Sequence, residues 1–310
     1  MTESLVRPPR LAPGARVAVV APSGPVPEDR LQAGLDLLRG WDLEPVVAPH
    51  VLDTHDRFDY LAGTDADRAA DLQAAWCDPE VDAVLCARGG YGAQRMVDLL
   101  DWTAMRAARP KAFVGYSDIT ALHEAFAVRL GVSTLHGPMV AAADFLKSAR
   151  AQGHLRATLF EPETVRSIAA PGGGRVLVPG VARGVTLGGC LALLAADLGA
   201  PFARRSARGG LLCLEDVGEE TYRLDRYLTQ LLRGGLFEGV SGVLLGSWAE
   251  CDDPGLDDLL ADRLGGLGVP VVDDFGFGHG DDALTVPFGV AGVLDASGAA
   301  VLTLDEPALS

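Results

Sequence analysis

Runs of β-branched and aliphatic residues alternate with amphipathic stretches along the first half of the chain. The run 16–22, RVAVVAP, predicts a buried strand. Residues 27–41 predict a helix behind it, with Leu31, Leu35 and Leu38 spaced by four and three. The pairing then returns. A strand at 43–49 precedes a helix at 64–76, whose Thr64 and Asp67 form a capping-box pattern. A strand at 81–88 precedes a helix at 93–101, and a strand at 111–116 precedes a helix at 118–131 closed by glycine. One more short strand is predicted at 132–137. Such alternation implies βαβ units and a parallel sheet covered on both faces, with ligands at the carboxyl ends of the strands.

The pattern breaks between about 150 and 175, and the glycine-rich stretch AAPGGGRVLVPG (169–180) has the composition of a linker. The expected organisation is a domain over 1–168, a linker at 169–175 and a second domain over 176–310. In the second part, RVLVPG and VARGVTLGG predict short strands, 190–199 a helix and 210–216 a strand. Residues 221–235 predict a strongly amphipathic helix with Leu224, Tyr227, Leu228, Leu231 and Leu232 on one stripe. Strands follow at 240–248 and 269–275, and 292–304 predicts a hairpin around Ser297-Gly298. This half predicts a smaller α/β domain with mixed strands.

Composition narrows the function classes. The net charge of −16, with no basic stripe, disfavours a nucleic-acid partner. No apolar run approaches the ~20 residues needed to span a bilayer. The N-terminus lacks a charged region followed by an apolar one, so the expectation is a cytoplasmic protein with no membrane partner. There are five cysteines and no CxxC; Cys86, Cys190 and Cys213 lie in apolar runs and predict core packing rather than disulfides or zinc. No phosphate-binding GxxxxGK[ST] motif occurs, and no GxGxxG follows the first strand.

Candidate chemistry sits at the predicted strand ends. In KAFVGYSDIT (111–120), Ser117 stands between a strand and a helix. That placement suits a nucleophile elbow, whose G-x-S-x-G pattern is broken here by Ile119, and it equally suits a helix cap. Among the six histidines, His279 in FGFGHGDD is flanked by glycines that let backbone approach closely, and His136 also precedes a glycine. His123 is expected to be structural, His50 and His55 to lie in a solvated loop, and His154 to be an exposed connector. A base needs an acid to fix its tautomer. Glu215 ends a buried run, where an unpaired carboxylate is costly; Asp216, Asp273 and Asp274 are rivals. An oxyanion would need two N–H donors, one from Asp118 and a second from the RGGYG turn (88–92).

Assembled in order, these stretches resemble the LD-carboxypeptidases, serine peptidases that include the microcin C immunity peptidases. The blocks VAVVAPSGPV (17–26), CARGGYGAQRMVDLLD (86–101), KAFVGYSDITALH (111–123), TLHGPM (134–139), TLGGCLALLAADLGAPF (186–202), LEDVGEETYRLDRYLTQL (214–231) and GHGDDALTVPFG (278–289) carry the resemblance. It implies an α/β fold: a flavodoxin-like N-terminal domain followed by a smaller mixed α/β domain, usually as a homodimer. It implies Ser117 as nucleophile, Glu215 as orienting acid and His279 as base, with Gly90 and Asp118 supplying the oxyanion hole. Arg88, Tyr91 and His136 are assigned to substrate contact, with Arg88 the candidate for the substrate carboxylate. No metal or cofactor is implied. The implied substrate is a small peptide with a free carboxylate, a murein tetrapeptide that would lose its terminal D-alanine. The alternatives are an immunity-type peptidase acting on peptidyl or aminoacyl nucleotides, and a non-catalytic binding module. Two positions depart from the family's common asparagines, Cys190 and Ala283.

Overall fold

A computed structural model describes residues 3–251 and 254–310. The first half forms five parallel strands, β1 (Arg16–Val20), β2 (Glu44–Val47), β3 (Ala83–Cys86), β4 (Ala112–Gly115) and β5 (Thr134–His136). Their order is β2-β1-β3-β4-β5, the flavodoxin-like arrangement. Alternate residues of these strands serve opposite faces, which is why both read as apolar. Val17 and Val19 pack with Leu31, Leu35 and Leu38 of the helix Glu28–Gly40. Ala18 and Val20 pack on the other side with Trp76 and Phe126. The capping box forms: Asp67 N–H donates to Thr64 Oγ1 at 3.2 Å, opening the helix Asp65–Cys77.

The second half supplies β6 (Ser167–Ala169), β7 (Arg175–Val178), β8 (Val181–Cys190), β9 (Gly210–Val217), β10 (Gly242–Ala249), β11 (Val271–Asp273), β12 (Val286–Phe288), β13 (Ala291–Asp295) and β14 (Val301–Leu304). Eight of these form a mixed sheet in the order β6-β14-β13-β8-β9-β10-β11-β7, with β8 to β11 parallel. The amphipathic helix Thr221–Arg233 covers it through Leu224, Leu228 and Leu231, all fully buried. The hairpin around Ser297-Gly298 is formed by β13 and β14.

Two features depart from the sequence reading. Strand β12 leaves the second half and pairs antiparallel with β5, Val286 opposite His136, so it extends the first sheet. A helix, Ala149–Phe160, occupies the stretch where the pattern broke, capped by Ser148, whose Oγ accepts from Ala151 N–H at 3.0 Å. The two halves are also joined where the helix Thr120–Arg129 meets β8. Cys190 N–H donates to Thr120 Oγ1 at 2.9 Å, and a Cβ at Gly189 would lie 2.4 Å from that oxygen. This junction sets the carboxyl end of β4 against those of β8 and β9.

Candidate active site

Ser117 follows β4 and opens a short 3₁₀ turn, Ser117–Ile119, ahead of the helix Thr120–Arg129. Its φ is +64°, a left-handed conformation that costs a non-glycine residue about 1–2 kcal/mol. Tyr116, not Ser117, holds the N-cap position of the turn, and among the described residues the Ser117 hydroxyl has no hydrogen-bond partner, so the serine does not serve as the helix cap. Ile119 breaks the elbow pattern, yet the turn stays tight because its partner is small. A Cβ on Gly115 would lie 2.9 Å from the fully buried Ile119 side chain.

The turn is anchored by Asp118. Its buried carboxylate accepts from Ser23 Oγ at 2.6 Å and from Ala93 N–H at 2.8 Å, and burial pushes its pKa up. One side chain thus ties the loop after β1, the RGGYG segment and the serine turn together. The RGG turn comes close to the serine because it lacks side chains: a Cβ on Gly89 would sit 3.2 Å from Ser117 Oγ. Gly90 has φ +112°. Its N–H has no acceptor among the described residues, and that of Asp118 lies in a first helical turn, where N–H groups lack intrahelical acceptors.

Glu215 ends the apolar run of β9 and is fully buried. His279 Nδ1 lies 2.6 Å from Glu215 Oε2. Burial alone would raise the Glu215 pKa; the charges and hydrogen bonding of His279, with His136 behind them, hold it below the usual carboxylate range. Burial would lower His279, and the Glu215 carboxylate reverses this and raises it above the ordinary histidine value. The Nδ1 contact leaves Nε2 as the ring's remaining nitrogen. Two of the three rivals are committed elsewhere. Asp216 faces the other side of the strand, accepting from Ala192 N–H at 2.8 Å and Val217 N–H at 2.9 Å. Asp273 pairs with Arg175 and accepts from Trp248 Nε1–H at 3.1 Å.

Gly278 makes the Glu215–His279 contact possible. Its φ is +94°, and a Cβ there would fall 2.6 Å from Glu215 Oε2. Gly278→Ala is therefore expected to cost about 2 kcal/mol or more of stability, through backbone strain and displacement of a buried carboxylate. Urea denaturation measures this; an unchanged midpoint would contradict the close approach.

Ser117 and His279 line one cavity of about 360 Å³, together with Arg88, Gly90, Tyr116 and Arg30. No direct hydrogen bond joins the serine and the histidine; such contacts are often loose before substrate binds. Tyr116 packs on His279 with ring centroids 4.7 Å apart. Arg88 donates from Nη1 to Pro25 O at 3.1 Å. His136 is not exposed to the cavity. It is 1% accessible, and its Nε2 lies 3.6 Å from Glu215 Oε1, neither atom having a hydrogen-bond partner among the described residues. Tyr91 stands on the surface, 45% exposed, 5.7 Å from the Tyr60 ring.

Three other expectations meet their outcome here. His123 is buried, with Nδ1 2.8 Å from Thr134 Oγ1 and Nε2 2.9 Å from Gly115 O; burial and then His136 lower its pKa to about 3, so it is a neutral strut under β4. His154 is not an exposed connector. It is half-buried on the helix Ala149–Phe160, its Nδ1 accepts from Thr285 N–H at 3.1 Å, and burial lowers its pKa to about 4. With Ser148, which donates to Asp282 Oδ1 at 2.5 Å, it fixes the loop after His279. The spacing of Ala151, Leu155 and Leu159 behind Ser148 is the signal that would have placed this helix. Cys190 is buried, its Sγ 3.4 Å from Asp216 Oδ1.

Comparison with known proteins bears on the same segments. The LD-carboxypeptidase N-terminal domain model matches residues 17–137, and the LD-carboxypeptidase C-terminal domain model matches residues 183–294. A Streptomyces coelicolor protein, whose carboxypeptidase name is provisional, is 80% identical over 98% of this chain and 98% of its own length. The murein tetrapeptide carboxypeptidase of Pseudomonas aeruginosa is 32% identical, over 90% of this chain and 93% of that protein. The solved structure of MccF in complex with glutamyl sulfamoyl guanosine shares the fold, with a TM-score of 0.86 at 20% identity over 98% of this chain and 100% of that one. One family model matches in each half of the molecule, and together with the relatives above they place it: the chain belongs to the LD-carboxypeptidases.

Proposed function

We propose that this serine-type peptidase hydrolyses the amide between an L-centre and a C-terminal D-amino acid, releasing D-alanine from a murein tetrapeptide. The observation that carries the reading is the strained Ser117 turn sharing a cavity with His279, whose other ring nitrogen is held by buried Glu215. Likeness over nine-tenths of the chain to a murein tetrapeptide carboxypeptidase supports the substrate class.

In this mechanism His279 Nε2 takes the Ser117 proton as Oγ attacks the scissile carbonyl carbon. Glu215 holds the Nδ1–H tautomer and stabilises the imidazolium. The N–H groups of Gly90 and Asp118 receive the developing oxyanion. The imidazolium then protonates the leaving amine, and D-alanine departs. Water, deprotonated by His279, attacks the acyl-enzyme, and Ser117 regains its proton as the tripeptide acid leaves. Every step uses this chain's own groups and water.

Among the described residues, the cavity that holds Ser117 has no tryptophan in its lining to serve as a platform for a nucleotide base. Trp248, at the end of β10, donates its N–H to Asp273 and packs on the core of the second sheet. The deciding experiment incubates the protein with murein tetrapeptide and, separately, with an aminoacyl sulfamoyl adenosine. Free D-alanine by mass spectrometry from the first is the expected result. Cleavage of the second alone would overturn the reading. We further infer, from the family resemblance and the absence of an N-terminal charged-then-apolar pattern, that the enzyme works in the cytoplasm as a homodimer. Among the described residues, no helix is long and apolar enough to cross a membrane.

A further inference from the structure

An enzyme that removes one terminal residue must recognise the free carboxylate that ends its substrate, and in a chain of net charge −16 the long-range field repels that group. The recognition has to be local. Two arginines line the cavity that holds Ser117 and His279, Arg30 and Arg88, and Asp144 is the carboxylate among the lining residues.

The two arginines differ in what they already do. Arg88 is committed. Its Nη1 donates to Pro25 O at 3.1 Å, and the same atom would lie 2.6 Å from a Cβ on Gly24 and 3.4 Å from one on Gly90. It therefore staples the loop after β1 to the turn carrying Gly90, which makes it a positioning residue for that turn. Arg30 is uncommitted. It is half-buried, yet among the described residues it makes no hydrogen bond and no ion pair, not even with Glu28 or Asp29 beside it or with Asp144 across the lining. It also sits in the first turn of the helix Glu28–Gly40, where the helix dipole disfavours a cation. A guanidinium placed against that gradient, partly desolvated and unpaired beside a reactive serine, has every donor available for a planar anion.

We propose that Arg30 is the specificity residue that binds the terminal carboxylate of the substrate, pairing with it in the cavity while the scissile carbonyl lies over Ser117. This rests on the peptidase reading above and names the residue that makes the enzyme an exopeptidase. It also moves that role from Arg88, the residue the sequence suggested.

The test compares a murein tetrapeptide with its C-terminal amide on wild type, Arg30→Met and Arg30→Lys. Wild type is expected to favour the acid. Arg30→Met should raise KM for the acid about tenfold to a hundredfold, the span of one charge-assisted pair, and leave the amide's KM unmoved. Arg30→Lys should recover part of the loss. Affinities of the two peptides for the Ser117→Ala protein, with and without Arg30→Met, give the same ratio by calorimetry without any turnover. An acid-to-amide preference that survives Arg30→Met, in either assay, overturns the proposal, as does failure of the Ser117→Ala protein to bind the acid. Absence of turnover with the binding ratio intact and sensitive to Arg30 would instead sink the peptidase reading and leave the carboxylate site standing.

Discussion

Ser117→Ala is expected to lower kcat by about 10⁶ while leaving peptide affinity close to that of the wild type. The size follows from where the residue stands. In the proposed mechanism, removing the oxygen deletes the attacking atom, and the hydroxyls nearby are poor substitutes. Ser23 Oγ donates to Asp118 at 2.6 Å, and Tyr116, whose phenol burial pushes upward in pKa, stays protonated. Binding should survive because the rest of the lining, with Arg30, Arg88, Tyr116, Asp144 and His279 as its polar side chains, is left in place when the hydroxyl is removed. The substitution also relieves nothing in the backbone: alanine at φ +64° is strained as serine is. Single-turnover release of D-alanine, with calorimetric affinity for the same peptide, separates the two effects. Turnover within tenfold of the wild type would end the serine mechanism. A fluorophosphonate probe gives a second reading of the same claim, since it should label the wild-type protein and not the variant.

The first sheet was legible because parallel strands buried on both faces appear as unbroken apolar runs, and each run was followed by a leucine or alanine stripe at helical spacing. Strand β12 was not legible as part of that sheet. Val286–Phe288 pairs with residues about 150 positions away, and nothing local in VPF says which edge it will join. The helix Ala149–Phe160 was hidden by Gly153 and His154 in its middle, although Ser148 and the spacing of Ala151, Leu155 and Leu159 carried the signal. At the site, the position of Ser117 could be read from the strand that precedes it, but its conformation could not. A left-handed φ is usually announced by glycine or asparagine; here it is imposed by the anchoring of Asp118 and the packing of Ile119 against Gly115. Arg30 was invisible for a similar reason. In the sequence it is one more charge on the polar face of a helix, and only the fold shows that this face turns into the cavity.

Glu215→Gln is expected to cost about 10⁴ in kcat and to move the acid limb of the pH profile to lower pH. In the proposed mechanism His279 acts as base only when neutral, so activity is expected to rise with pH through its raised pKa. Burial lowers that pKa and the Glu215 charge raises it; with the charge gone, burial prevails and the limb shifts down. The other groups facing the ring leave the sign unchanged. Tyr116 stays neutral, Asp144 remains, and Asp216, raised to about 6 by burial and then by Glu215, titrates more readily once its neighbour is uncharged. The gain in catalytically competent neutral histidine does not rescue the rate, because glutamine can accept from or donate to Nδ1 and no longer fixes the tautomer or stabilises the imidazolium. Stability should follow the same pair with its own signs. Glu215 is depressed in the folded state, so its contribution is full above the ordinary carboxylate value near 4.5 and is lost in strong acid. His279 is raised, so its contribution is full below the ordinary histidine value near 6.5 and is lost as pH climbs through the folded value. The melting-temperature gap between wild type and Glu215→Gln should therefore be widest between about pH 4.5 and 6.5 and narrow on both sides. A gap that grows steadily toward alkaline pH would mean that Glu215 is stabilised by something other than a charged His279.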